Sequence, residues 1–132
     1  MRELFVAAGG RPERSHPHYF VLGDSPWFAG LYDEPLAVRL PLSRLPGPVT
    51  SFSWTDSITA VGLGEHLGVP PPAEEWQQGV HPLELLDPGR ATRAVAPRDE
   101  GYDGYQRRPL QHYVEVQLWS DGPVADLLSA SS

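Results

Sequence analysis

Proline or glycine interrupts this chain so often that no long element fits between them: fifteen prolines and thirteen glycines fall within 132 residues. Each is a local stop or turn signal, so the sequence predicts short strands and short helices. These mix in irregular order, which argues for α+β rather than a repeating βαβ pattern. We expect one small domain over residues 1–132, with a split, mainly antiparallel β-sheet and short helices. No internal repeat or linker divides it. A chain of this length buries roughly two-thirds of its unfolded surface, so it needs neither disulfide nor metal to fold. It has no cysteine, which excludes thiol chemistry.

Several segments carry clear local signals. His18–Leu22 is aromatic and β-branched, ends at Gly23, and reads as a strand. Ser25-Pro26 suits a helix start, with Trp27–Tyr32 as a short helix. Leu36–Leu40 reads as a strand ended by Pro41. Val49–Trp54 alternates: Thr50, Phe52 and Trp54 share one face, and Val49, Ser51 and Ser53 the other. Asp56 or Ser57 then caps a helix expected to run to Leu67, with Gly62 and Gly64 weakening it by about 1 kcal/mol each. Val80–Leu86 reads as a strand before the turn signal Asp87-Pro88-Gly89-Arg90, and Ala96–Arg108 as an exposed loop.

His112–Trp119 is the strongest strand signal. Its period of two sets Val114, Val116 and Leu118 toward a core, and Tyr113, Glu115, Gln117 and Trp119 on the opposite face. Rings and a few polar groups on one face resemble the lining of a ligand pocket. That face is expected to open onto a concave pocket, so that Glu115→Gln would leave stability nearly unchanged. The plainer alternative is a half-exposed strand with one carboxylate and two rings.

Other groupings point less sharply. Ser51 and Ser53 place two hydroxyls on one strand face, suited to orienting a ligand. Arg107-Arg108 could clamp a phosphate or diphosphate bidentately. Arg11 and Arg14 share that ambiguity. His16-Pro17-His18, with Gly10, fits the opening spacing of a cupin metal motif, but no carboxylate follows between Tyr19 and Gly23. We assign no metal ligands on this basis.

The formal net charge is -7. Such a surface repels the nucleic-acid backbone at long range, which disfavours general nucleic-acid coating. All ten basic residues are arginine, a pattern expected from a GC-rich bacterial genome. No apolar run approaches the ~20 residues a membrane-spanning helix needs, and the opening MRELFVAAGG is too short in apolar residues for a secretory signal. A cytoplasmic location without a membrane role is the expectation.

Three blocks, in order, resemble the DarT-like family of ADP-ribosyltransferases. Pro17-His18-Tyr19-Phe20 followed by Ser25-Pro26 resembles its Pro-Phe-Tyr-Phe…Ser-Pro segment. Phe52-Ser53-Trp54-Thr55-Asp56-Ser57 resembles its strand-to-helix segment. Arg107-Arg108 leading into Val114-Glu115-Val116-Gln117-Leu118 resembles its arginine-rich stretch before the strand with the catalytic glutamate. The resemblance implies an ADP-ribosyltransferase fold that uses NAD as substrate, with Glu115 as catalytic residue. It implies a ring stacked on nicotinamide, for which Tyr19, Tyr32 and Tyr113 are candidates, and arginine on the diphosphate. Ser51, Ser53 and Gln117 would complete the NAD site. The family's NAD-binding histidine lies in a strand ahead of these blocks. That motif does not precede Pro17 here, and His16 or His18 would have to replace it. The acceptor would be a nucleobase or a protein, as in toxin–antitoxin systems. Two other classes stay open: a non-catalytic acidic binding module of the antitoxin or immunity type, with a protein partner, and a small His-x-His metal-dependent enzyme.

Overall fold

The computed structural model describes residues 1–23, 39–54, 57–63, 78–87 and 114–125. The fold is α+β: a four-stranded antiparallel sheet with a few short helices. The strands are β1 (His18–Val21), β2 (Thr50–Ser53), β3 (His81–Pro82) and β4 (Glu115–Leu118). Their order across the sheet is β1-β4-β2-β3. The last of these four in sequence is therefore an inner strand, with β1 on one side and β2 on the other.

Register follows from pairing side chains of like character. Phe20 lies opposite Val116, which lies opposite Phe52. One step along, Tyr19 faces Gln117 and Gln117 faces Ser51. A slip of one residue would exchange these two sets between faces. The β1–β4 ladder continues past the strand end through Leu22 N–H to the Val114 carbonyl (2.9 Å), and β2–β4 through Trp119 N–H to the Val49 carbonyl (2.7 Å). β3 is shorter than the predicted Val80–Leu86 strand. Pro82 has no N–H to continue a ladder, and Leu83–Leu85 turns into a 3-10 helix.

The apolar face packs Phe52, Trp54, Val114, Val116 and Leu118 against Leu45, Val49 and Val124. Phe52 and Trp54 meet edge to face, with centroids 5.1 Å apart. Thr50 shares this face, and its hydroxyl donates to the Pro46 carbonyl (2.7 Å).

Helix α1 (Arg2–Ala7) is an element the sequence reading did not anticipate. It is too short to be stable alone. One buried side chain, Phe5, fastens it by stacking on Trp119 at 5.9 Å between centroids. The chain leaves it through Gly9, at φ +99. A Cβ on Gly10 would run into the Phe5 ring, so only glycine lets the backbone pass there.

Helix α2 (Ser57–Ala60) stops well before the predicted Leu67. Gly62 sits at φ +81. Its N–H donates to the Thr59 carbonyl (3.1 Å), and Leu63 N–H donates to the Ile58 carbonyl (2.9 Å). That pair of bonds is a Schellman cap, which closes a helix. Gly62 is thus a terminator rather than a weak point inside a longer helix. The expected helix Trp27–Tyr32, the loop Ala96–Arg108 and most of the Leu36–Leu40 strand lie outside the described residues.

Candidate functional site

The polar side chains of β2 and β4 meet on the sheet face opposite the apolar core. Ser53 lies across from Glu115, and Ser51 across from Gln117. The Trp119 indole N–H donates to Ser51 Oγ (2.8 Å). Ser51 Oγ donates to Gln117 Oε1 (2.8 Å). Gln117 Nε2 donates to Ser53 Oγ (3.0 Å) and to Glu115 Oε1 (2.9 Å). Glu115 Oε2 accepts from the Ser57 backbone N–H (3.3 Å), at the start of α2. Cross-strand pairing supplies the rows, and the turn from β2 into α2 brings the Ser57 amide to the carboxylate.

This face is dry. Ser51, Ser53 and Gln117 are fully buried, and Glu115 is 7% exposed. The expectation of an open, pocket-lining strand face is therefore corrected. Alternation separates the two faces but does not say which face meets water. At one end of the ladder α1 brings Phe5 onto Trp119, and Val80, Met1 and Val61 complete that packing. A buried carboxylate needs donors to offset lost hydration, and Gln117 and Ser57 supply them. Replacing Glu115 by Gln would set amide hydrogens against those donors, so the change cannot be neutral for stability.

Tyr19 extends the row on β1, opposite Gln117. It is 57% exposed, at the rim of the network. Burial, and after it the negative charge of Glu115, pushes the phenol above its ordinary value. The ring stays neutral through the physiological range.

The structure brings Glu115, Ser51, Ser53 and Gln117 together and sets Tyr19 beside them. His18 lies elsewhere: it pairs with Leu118, one step out of phase with Tyr19. Its Nε2 is 2.8 Å from Asp121 Oδ1, which also accepts from Arg14 Nη1 (2.5 Å). The His18 bond first, and Arg14 after it, hold the Asp121 carboxyl below its ordinary value. His18 is thus part of a clasp that seats the N-terminal segment on the sheet, helped by Glu13 N–H to the Trp119 carbonyl (2.8 Å) and Arg11 N–H to the Pro48 carbonyl (2.7 Å). Tyr32, Tyr113, Arg107 and Arg108 lie outside the described residues.

Sequence reasoning missed three participants. Trp119 was placed on the correct face but not as the head of a hydrogen-bond chain. The sequence offers Ser57, with Asp56, only as a helix cap, whereas its own amide serves Glu115. Asp121 carried no signal beyond its turn-like surroundings. A cleft of about 520 Å³ lies elsewhere, lined by Phe5, Gly10, Arg11, Pro48, Leu83 and Glu84 among others, and Glu115 is not among its walls. Among the described residues no group of three His, Cys, Asp or Glu side chains could hold a metal ion. Among the same residues no helix is long and apolar enough to cross a membrane.

The sheet order, the short helices and the buried polar ladder define an α+β domain with an internally braced carboxylate. Comparison with protein-family models, with curated proteins and with solved structures gives no match.

Proposed function

We propose that the chain is an ADP-ribosyltransferase-like domain acting on NAD, with Glu115 as the carboxylate at the reacting ribose. The observation that carries this reading is the bracing of Glu115 by Gln117 and the Ser57 amide, with the neutral Tyr19 ring beside it. In this chemistry the bond from ribose C1 to nicotinamide breaks, and nicotinamide leaves with the bonding pair. The ribose then carries oxocarbenium character, and an acceptor nucleophile attacks C1 and loses its proton. A fixed carboxylate in a dry setting stabilises that positive charge at little reorganisation cost and can take the acceptor's proton. In this reading Tyr19 is the ring that meets the nicotinamide, and the acceptor is a nucleobase or a protein.

The test is nicotinamide release from NAD by the intact chain, against Glu115→Gln measured well below that variant's own melting temperature. We expect release to be lost while the variant is still folded. Full activity in the folded variant would remove Glu115 from the mechanism.

A second reading is a non-catalytic acidic binding module for a basic protein partner. The burial of the ladder favours it, since a satisfied internal network needs no ligand. Net charge -7 suits such a partner. No nicotinamide release, no thermal shift with NAD and salt-sensitive protein binding would together select this reading.

A further inference from the structure

We infer that Trp119, Ser51 and Gln117 form a one-way hydrogen-bond chain that positions the Glu115 carboxylate, so that Gln117 is a positioning residue and not a nucleotide contact. The direction is set at both ends. An indole N–H can only donate, so Ser51 Oγ accepts from Trp119 and turns its own proton to Gln117 Oε1. A carboxylate accepting from amides sits at the far end. Flipping the Gln117 amide would put its oxygen 2.9 Å from Glu115 Oε1, acceptor against acceptor. The amide therefore has one orientation, with both hydrogens committed: one to Ser53 Oγ and one to Glu115 Oε1. Gln117 is fully buried and its polar atoms are engaged, which leaves it nothing to offer a ligand. Chains of such bonds polarise one another in a low-dielectric interior. Trp119 is itself held by its stack on Phe5, so the brace on Glu115 reaches back to α1.

The kinetic part of this inference rests on the assignment of Glu115 to NAD cleavage, and the second readout does not. Two variants of the full chain interrupt the chain of bonds away from Glu115. Trp119→Phe removes the indole N–H and keeps a ring on Phe5. Ser51→Ala removes the link itself and serves alone if the first variant does not fold. The carboxyl carbon of Glu115 is followed by NMR through a pH titration in each. Tyr19 faces this group across β1 and stays neutral over the range scanned. Both variants should raise the Glu115 midpoint, Ser51→Ala the more. With NAD, each should lower kcat about three- to tenfold and leave KM within about twofold, the mark of lost positioning rather than lost binding. An unmoved midpoint in a folded variant overturns the inference. So does a raised KM at unchanged kcat, which would make the ladder part of the binding surface. If the wild-type chain releases no nicotinamide, the assignment of Glu115 falls, and the titration alone upholds or overturns the brace.

Discussion

The two faces of the β2–β4 pair are buried to a similar degree by opposite means. On one, Phe52, Val116 and Leu118 pack with Leu45, Val49 and Val124. On the other, Ser51, Ser53 and Gln117 are fully buried and Glu115 nearly so, with their side chains joined in one hydrogen-bond network. The apolar face asks for shape and volume, and neighbours can relax around a change. The polar face asks for direction: removing one member strands the groups that pointed at it. The comparison teaches that burial alone does not mark a core. What distinguishes the faces is how a substitution propagates.

The sharpest way to break the apolar face is Phe52→Ala. It removes a fully buried ring that touches both Trp54 and His81, and should cost about 3–5 kcal/mol in urea-melt stability. The polar face answers with Gln117→Leu, near in volume but without donors or acceptors. It leaves the Ser51 hydroxyl and Glu115 Oε1 without the partner each had, and should cost about 2–3 kcal/mol. A loss below about 0.5 kcal/mol would show the ladder to be replaceable by plain packing.

The smallest effect should come from the boundary of the apolar face. His81 lies against Phe52 with its Nε2 buried and without a hydrogen-bond partner among the described residues. Burial lowers its pKa, while a bond to the Gln78 backbone pulls the other way. A base whose folded value is depressed is fully compatible with folding above its unfolded value of 6.5. Stability is then lost as pH falls from there through the folded value, because the unfolded chain binds the proton first. His81→Phe removes the orphaned nitrogen but also the bond to Gln78, so stability at neutral pH should change by less than about 1 kcal/mol. Melts from pH 7 to pH 5 should then be flatter than in the wild type; an equal slope would assign the acid sensitivity to other groups.

The alternation of Val49–Trp54 and His112–Trp119 made two strands and their two faces legible, because side-chain direction in a strand is a local property; Val49, ahead of β2 in a 3-10 turn, departs from it and packs with Phe52 in the apolar core. Which face would be dry was not legible. That depends on α1 and α2 reaching over Trp119 and Glu115, and no window of sequence contains both partners. α1 itself escaped notice because one residue, Phe5, fastens it, and its contact lies across the chain at Trp119. The end of α2 was readable in principle: Gly62 is the residue a left-handed cap favours, yet glycine inside an apolar pattern looks the same as a blemish. The grouping of Glu115, Ser51, Ser53 and Gln117 was half visible from strand parity, and the separation of His18 from them could have been had from the same rule.

The strand order carries a consequence for how the protein is made. β1 and β2 do not pair with each other; each pairs with β4. A nascent chain therefore emerges from the ribosome with β1 lacking its neighbour until the segment around Val116 has been synthesised, and contacts so distant along the sequence form slowly. Closure of the sheet in that sense waits on β4: until that segment arrives, β1 must stay soluble without the partner it has in the fold.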